Sequence, residues 1–403
     1  MQSDLTYGKN FSVQIMIKLL KLAVVNILVF LGILIFINLA VISIYQLCNL
    51  RNPSNIRDDF RWRLPNYKNI EWAPTHFKEI HELQSEYRSY IGWRRLPYYG
   101  QTINIDEKGV RMTPQSKLAT DNSPLVVFLG GSSMWGTGAD DANTIPALFA
   151  EIAKGRYRAM NLGEAGYNTF QEYLFLKLQI IDGLIPDIVV SYDGINDATI
   201  LSPGLRPFSH QKEYQFIEAT KGLDSKKDEA LSFSHFFLNP LKHFISYYKT
   251  RNPKLEPVYL IPPERLEQTA KAFLEGWLAT KDLAEKNGAV FIGILQPNPA
   301  IGKPYLEHLP HLEHVKMKKF ILSEYKLFYQ EVLKLLHTPQ YKELSNNVII
   351  LTNVFDLKEY IYIDECHVSP NGNKIIAEKI YNHINKFIYN KKKPLHPSTS
   401  KPQ

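Results

Sequence analysis

The sequence predicts an α/β protein: a three-layer α/β/α sandwich around a five-stranded parallel sheet, preceded by one membrane-crossing helix. Three observations predict it. From residue 124 onward, short apolar runs alternate with helix-length stretches. Those runs are continuously apolar, as strands buried on both faces are, and do not show the in-out alternation of a half-exposed sheet. From Leu22 to Leu50 there is no Asp, Glu, Lys or Arg.

The elements follow in order. Residues 1–21, with Lys9, Lys18 and Lys21, read as a cytoplasmic amino terminus. Residues 22–50 read as the transmembrane helix, since its densest part, Ala23 to Leu47, would span about 37 Å as a helix. Asn26, Asn38 and Gln46 form no polar stripe, which disfavours a core helix of a soluble domain. The exit through Tyr45-Gln46-Leu47 is unlike a signal-peptidase site, although a cleaved signal is the nearest alternative. Basic residues flank both ends, with Arg51, Arg57, Arg61 and Arg63 on the far side, so charge does not orient the span. Cys48 at the boundary is open to acylation or is simply a small apolar residue.

Residues 51–123 are rich in arginine and aromatics and read as a membrane-proximal extension without a core of its own. Within it, Thr102–Ile105, the turn Asp106–Gly109 and Val110–Thr113 read as a hairpin. Residues 124–389 hold the sandwich. Its strands are predicted at Leu125–Leu129, Tyr157–Leu162, Asp187–Tyr192, Ala289–Leu295 and Val348–Leu351. Helices at Thr144–Ala153, Phe170–Ile180, Glu264–Lys286 and Val315–Leu336 supply the crossovers. Residues 198–263 are too long for one connection and read as an aromatic-rich insertion that emerges at the site edge. A last helix begins at Ser369-Pro370 and runs to Ile388, and 390–403 read as a disordered basic tail.

Composition narrows the function. Of 403 residues, 45% are hydrophobic and 22% charged, which excludes wholesale disorder. The 47 basic and 40 acidic residues include five lysines in the last 23 positions; without those five the chain has 42 against 40. No nucleic-acid partner is therefore expected. Cys48 and Cys366 are the only cysteines, too few for a disulfide framework or a cysteine zinc site.

In a parallel sheet ligands bind beyond the carboxyl ends of the strands, so the residue types there matter most. The first strand is followed by Gly130-Gly131-Ser132-Ser133, a sharp turn presenting a serine at a helix start. The second leads to Gly163-Glu164-Ala165-Gly166, the third to Asp193-Gly194-Ile195-Asn196-Asp197, where Asp197 is placed to cap the next helix. The last precedes Asp364-Glu365-Cys366-His367, in which an aspartate can hold an imidazole in its base tautomer. Each alone reads as an ordinary turn or helix cap; the four together, each at a strand end, point to a serine nucleophile. No Gly-Lys-Ser/Thr follows the first turn, so a phosphate-binding loop fits poorly. The run Glu307-His308-Leu309-Pro310-His311-Leu312-Glu313-His314 has metal-ligand residue types, but Pro310 breaks any regular face.

Over about residues 124–386 these blocks resemble the SGNH (GDSL-type) hydrolase family, in particular its membrane-anchored bacterial members. The matching residues are Ser132, Gly166, Asn196 and His367. One departure is Gly131, where the family's motif has Asp. The resemblance implies a flavodoxin-like sandwich that cleaves ester bonds without metal or cofactor. It implies a triad of Ser132, His367 and Asp364, and an oxyanion hole from the N–H groups of Ser132 and Gly166 with the Asn196 amide. Stretches such as Tyr90-Ile91-Gly92-Trp93-Arg94 resemble extensions linked to surface polysaccharides. The expected function is a membrane-anchored serine esterase deacetylating a glycan or glycolipid, with its catalytic domain outside the cytoplasm. The expected partners are an acylated glycan and the bilayer. The alternatives are an O-acyltransferase with the same triad and an inactive carbohydrate-binding or assembly module.

Overall fold

A computed structural model describes residues 3–51, 59–202, 205–213, 215–218, 220, 261–309 and 316–392. The chain divides into two compact units, one of Met1–Arg57 with Phe216–Tyr259 and one of Asp58–Gln215 with Leu260–Gln403. In the first unit, helix α1 (Ser3–Arg51) is one continuous helix. Its most apolar window is Ile15–Ile37, of mean hydropathy 2.7, long and apolar enough to cross a membrane. That window starts before Leu22, the predicted boundary, because the apolar residues around Lys18 and Lys21 offset two cations. Most of the predicted insertion, residues 221–260, lies outside the described residues.

The second unit carries the sheet. It opens with a 3-10 turn, Phe60–Arg63, and helix α2 (Ala73–Glu82). Strands β1 (Ser85–Arg88) and β2 (Gly92–Arg95) form an antiparallel pair, as do β3 (Tyr98–Tyr99) and β4 (Asn104–Ile105). The predicted hairpin is present as a short ladder. Its turn closes through Asp106, whose amide donates to the Val110 carbonyl at 3.0 Å. The return arm pairs through the Ile105–Arg111 bridge and the Met112 amide, which donates to the Asn104 carbonyl at 2.9 Å, and Arg111 also bridges Asn161 of the main sheet.

The main sheet holds β5 (Leu125–Gly130), β6 (Arg158–Asn161), β7 (Ile188–Asp193), β8 (Val290–Leu295) and β9 (Val348–Ile350). Their spatial order is β6-β5-β7-β8-β9, all parallel. The order reverses at β5, so the crevice for a ligand opens beyond the ends of β5 and β7. Between the strands run α3 (Ser132–Trp135), α4 (Ile145–Ala153), α5 (Thr169–Ile181), α6 (Ile195–Ala198), α7 (Pro263–Lys286), α8 (Lys316–Leu336) and α9 (Lys342–Ser345). Helix α10 (Pro370–Lys392) follows β9. It continues past the predicted end at Ile388, and residues 393–403 of the predicted tail lie outside the described residues.

Period-two alternation sends the strand side chains to two cores. Val126, Phe128, Val190, Ile292 and Ile294 pack with Phe149 of α4 and Ile376 and Ile380 of α10. Opposite them, Phe273 of α7 packs with Trp277 of the same helix and with Phe328 of α8. Leu64, Tyr67 and Phe77 bury in the same cluster as Val126, so residues 59–82 share the core of the sandwich.

Candidate active site

The first strand ends by turning through Gly130 at φ +154, where a Cβ would meet Met134 at 2.5 Å and the Tyr192 carbonyl at 3.0 Å. Only glycine fits this turn, and it delivers Ser132 to the first position of α3. At the far end of the sheet, the loop before α10 is pinned at its base. The Ile363 amide donates to the His367 carbonyl at 2.9 Å, and that of Ser369 to Ile361 at 2.8 Å. Inside the loop, Asp364 Oδ1 accepts from the amides of Cys366 (2.9 Å) and His367 (2.7 Å). This folds the loop so that the His367 ring comes back over the same carboxylate.

Residues 132 and 367 thereby meet. Ser132 Oγ lies 2.7 Å from His367 Nε2, and His367 Nδ1 lies 2.8 Å from Asp364 Oδ2 and 3.0 Å from Oδ1. With Nδ1–H donated to the carboxylate, Nε2 is the acceptor facing the serine hydroxyl, an order suited to general-base activation. Burial pushes the Asp364 carboxyl up. The charge and hydrogen bonds of His367 and the charge of Arg61 outweigh that, holding it well below the usual carboxylate range.

The other two predicted residues come together less directly. Asn196 Nδ2 donates to the Tyr167 carbonyl at 2.6 Å, and Oδ1 accepts from Gln211 Nε2 at 2.9 Å. A primary amide has two N–H groups, so one remains for a substrate oxygen. Gly166, at φ +82, immediately precedes Tyr167, and a Cβ there would sit 3.2 Å from Trp93 and 3.3 Å from Gln211. Gln211 belongs to the start of the predicted insertion, as does Ser209, whose carbonyl accepts from Asn168 Nδ2 at 2.6 Å. Asp197 differs from expectation. It takes Thr169 N at 3.2 Å and Oγ1 at 2.9 Å, so it holds the start of α5 and not the helix after it. Beneath it lie two more buried acids, Glu172 and Asp193. Burial raises all three, and Asp197, with Asp193 beside it, is pushed up to about 8.

Gly131, the departure from the family motif, has a steric reason. A Cβ built there would lie 2.0 Å from Asn196 Nδ2. Its φ of −78° suits any residue, so the cost of alanine falls on the displaced amide and not on the backbone. We expect Gly131→Ala to fold with a nearly unchanged unfolding midpoint yet lose about 10²- to 10³-fold in kcat, as when an oxyanion donor is removed. Near wild-type turnover on a small aryl acetate would mean the Asn196 amide does not serve the reaction.

Beyond Gln211 and Ser209, the residues that hold these loops lie before residue 124, and sequence reasoning assigned them no such role. Arg111, 1% exposed, pairs with Asp141 at 2.9 Å and donates to the carbonyls of Trp135 (3.0 Å), Gly136 (2.8 Å) and Ala139 (2.7 Å). Tyr67 OH donates to the Gly138 carbonyl at 2.6 Å, and His76 Nε2 accepts from the Gly138 amide at 3.1 Å. Trp93 Nε1 donates to Ala165 O at 3.1 Å, while Arg94 and Arg95 pair with the buried Glu164 at 3.5 and 3.3 Å. Arg61 Nη1 reaches Asp364 Oδ2 at 2.9 Å. The advance signals were the arginine and aromatic content of residues 51–123 and the stretch Tyr90-Ile91-Gly92-Trp93-Arg94 within it.

Among the described residues, Asp364, Cys366 and His367 are the one trio whose ligand atoms approach within 4.8 Å. Their chemistry suits a triad better than a cation. His367 and Asp364 are bonded to each other, and burial with the adjacent carboxylates pushes the Cys366 thiol well up, keeping it protonated. Of the other metal-type run, His308 Nε2 lies 2.7 Å from the Tyr362 carbonyl, and residues 310–315 lie outside the described residues.

No protein-family model matches this sequence, and no curated protein matches it. Solved structures do match. One is a carbohydrate acetylesterase family member from Sinorhizobium meliloti, at 11% identity, 66% of this chain, 99% of that chain and a TM-score of 0.38. Another is a lipolytic G-D-S-L family member from Veillonella parvula, at 8% identity, 66% and 100% coverage and a TM-score of 0.36. A psychrotrophic esterase from Pseudoalteromonas sp. follows at 12% identity, 66% and 100% coverage and a TM-score of 0.34.

Proposed function

We propose that this protein is a serine esterase of SGNH type that acts through an acyl-enzyme on Ser132. The observation that supports it most is the aligned pair of contacts, Ser132 Oγ to His367 Nε2 at 2.7 Å and His367 Nδ1 to Asp364 at 2.8 Å, at the carboxyl edge of a parallel sheet. In this reading His367 takes the serine proton as Oγ bonds to the acyl carbon, and the tetrahedral oxyanion draws on the N–H groups of Ser132 and Gly166 and the Asn196 amide. The carbonyl re-forms as the alcohol leaves with the proton returned by His367. Water, activated by the same imidazole, then releases the acid. Asp364 stays ionised throughout and steadies the imidazolium.

The substrate we propose is an acetylated glycan or glycolipid, with α1 as a retained anchor and the catalytic unit outside the cytoplasm. The length and apolarity of α1 support the anchor. The full chain in detergent should react with a fluorophosphonate at Ser132 and release free acetate from an acetylated polysaccharide. Probe labelling that survives in Ser132→Ala removes this serine from the role. Acetyl transfer to an added sugar hydroxyl in place of acetate release would reassign the protein as an O-acyltransferase. Recovery of the full-length chain in a salt wash of membranes would remove the anchor.

A further inference from the structure

Asp364 is already well satisfied within its own loop. Oδ1 accepts from two backbone amides, and both oxygens face His367 Nδ1. Yet a side chain from far away in sequence adds another bond: Arg61 Nη1 at 2.9 Å from Oδ2, the oxygen nearer to Nδ1. That arginine has no need of Asp364 for its own neutralisation. Its Nε and Nη2 fork onto Asp59 at 2.9 and 2.7 Å. Asp59 is held in turn by His81 Nε2 at 3.2 Å. The guanidinium carbon lies 4.9 Å over the ring of Phe77, itself buried in the main core. The result is a guanidinium held along one edge by Asp59 and on one face by Phe77, with Nη1 turned to the carboxylate behind the imidazole.

We propose that Arg61 is a positioning residue for the triad, fixing the Asp364 carboxylate against His367 and tempering its charge. This rests on the reading of Ser132, His367 and Asp364 as catalytic. Two consequences follow from its geometry. A planar fork bound to Asp59 and Asp364 at once leaves Oδ2 little freedom, which a single ammonium does not reproduce. A cation on the far side of the carboxylate draws on the same negative charge that steadies the imidazolium, so removing it should show in the acid limb of the pH profile.

Among the described residues, the following groups lie around His367. On its own loop are Asp364, Glu365 and Cys366, and opposite it is Ser132. From the preceding segment come Arg61 with Asp59 and His81 behind it. Tyr67 and Tyr325 feel the same charges, but burial pushes both phenols far up, so they stay neutral across an assay range. Cys366 stays protonated for the same reason.

The test is the pH profile of the full chain in detergent on a small aryl acetate, with fluorophosphonate labelling as a second readout. In Arg61→Met the acid limb of kcat/KM should move up by about one pH unit. Its kcat should fall about 10- to 100-fold with KM nearly constant, as expected for a misplaced catalytic group. Arg61→Lys keeps the charge, so its limb should stay near that of the wild type while kcat still drops severalfold. A folded Arg61→Met with the wild-type limb and kcat overturns the proposal. If that variant does not fold, full wild-type kcat in Arg61→Lys overturns it instead. An unlabelled, inactive wild type would remove the catalytic reading itself, whereas a labelled wild type with indistinguishable variants removes only the role of Arg61.

Discussion

Ser132→Ala and His367→Ala should each lower kcat by several orders of magnitude, on the order of 10⁶-fold if the residues act as one unit. The double variant should lose no more than either single one, because once the nucleophile is gone the base has nothing to activate. The protein should remain folded. Ser132 and His367 are both only partly buried, and their loops are held by other residues. Residual turnover above the uncatalysed rate is expected in all three, since oxyanion donors and binding persist. The comparison is made from single-turnover rates on an aryl acetate together with circular dichroism. Losses that add in the double variant would show that the two side chains work independently, contrary to the 2.7 Å contact between them.

The second large effect concerns stability. Arg111→Met should destabilise the sheet-bearing unit by about 3–5 kcal/mol, the cost of breaking a buried pair from one side. Removing the guanidinium leaves Asp141 without its 2.9 Å partner and strips donors from the carbonyls of Trp135, Gly136 and Ala139. Methionine matches the length of the stem but satisfies none of these acceptors. Because the carbonyls belong to the turn that follows the nucleophile, activity should fall further than stability alone explains. Adding Asp141→Leu should recover part of the stability by removing the orphaned charge, without restoring the turn. Denaturant midpoints of the wild type and the two variants decide it: an Arg111→Met chain as stable as the wild type would mean that water replaces the guanidinium at no cost.

Much of the architecture was legible locally. Apolar runs marked all five sheet strands, with ends within one or two residues of those observed; β5, β7 and β8 are covered on both faces and leave almost no polar positions, whereas the edge strands β6 and β9 are only partly buried and β6 carries Arg158 and Asn161. Four crossover helices were legible from their periodicity, and the carboxyl ends of the strands then pointed to Ser132, Gly166, Asn196 and Asp364 with His367. Where local signals were mixed the reading slipped. Asp197 was placed as a cap by its position in sequence, whereas its carboxylate turns back to Thr169.

Sequence by itself thus determined the sandwich, the apolar amino-terminal helix and the residue types at each strand end, all of which follow from periodicity within about 20 residues. Tertiary structure alone decided how those residues are held. The Arg61–Asp364 contact joins positions 303 apart, that of Trp93 with Ala165 joins positions 72 apart, and Arg111 meets Asp141 across 30. Such pairs leave no periodic trace, since any of many arginines is chemically able to fill the role. Only the folded chain chooses among them, by burying one guanidinium where a carboxylate or a carbonyl would otherwise lack a partner. The same holds for Gly131, whose missing side chain is explained by an amide 65 positions later that occupies the space a Cβ would need.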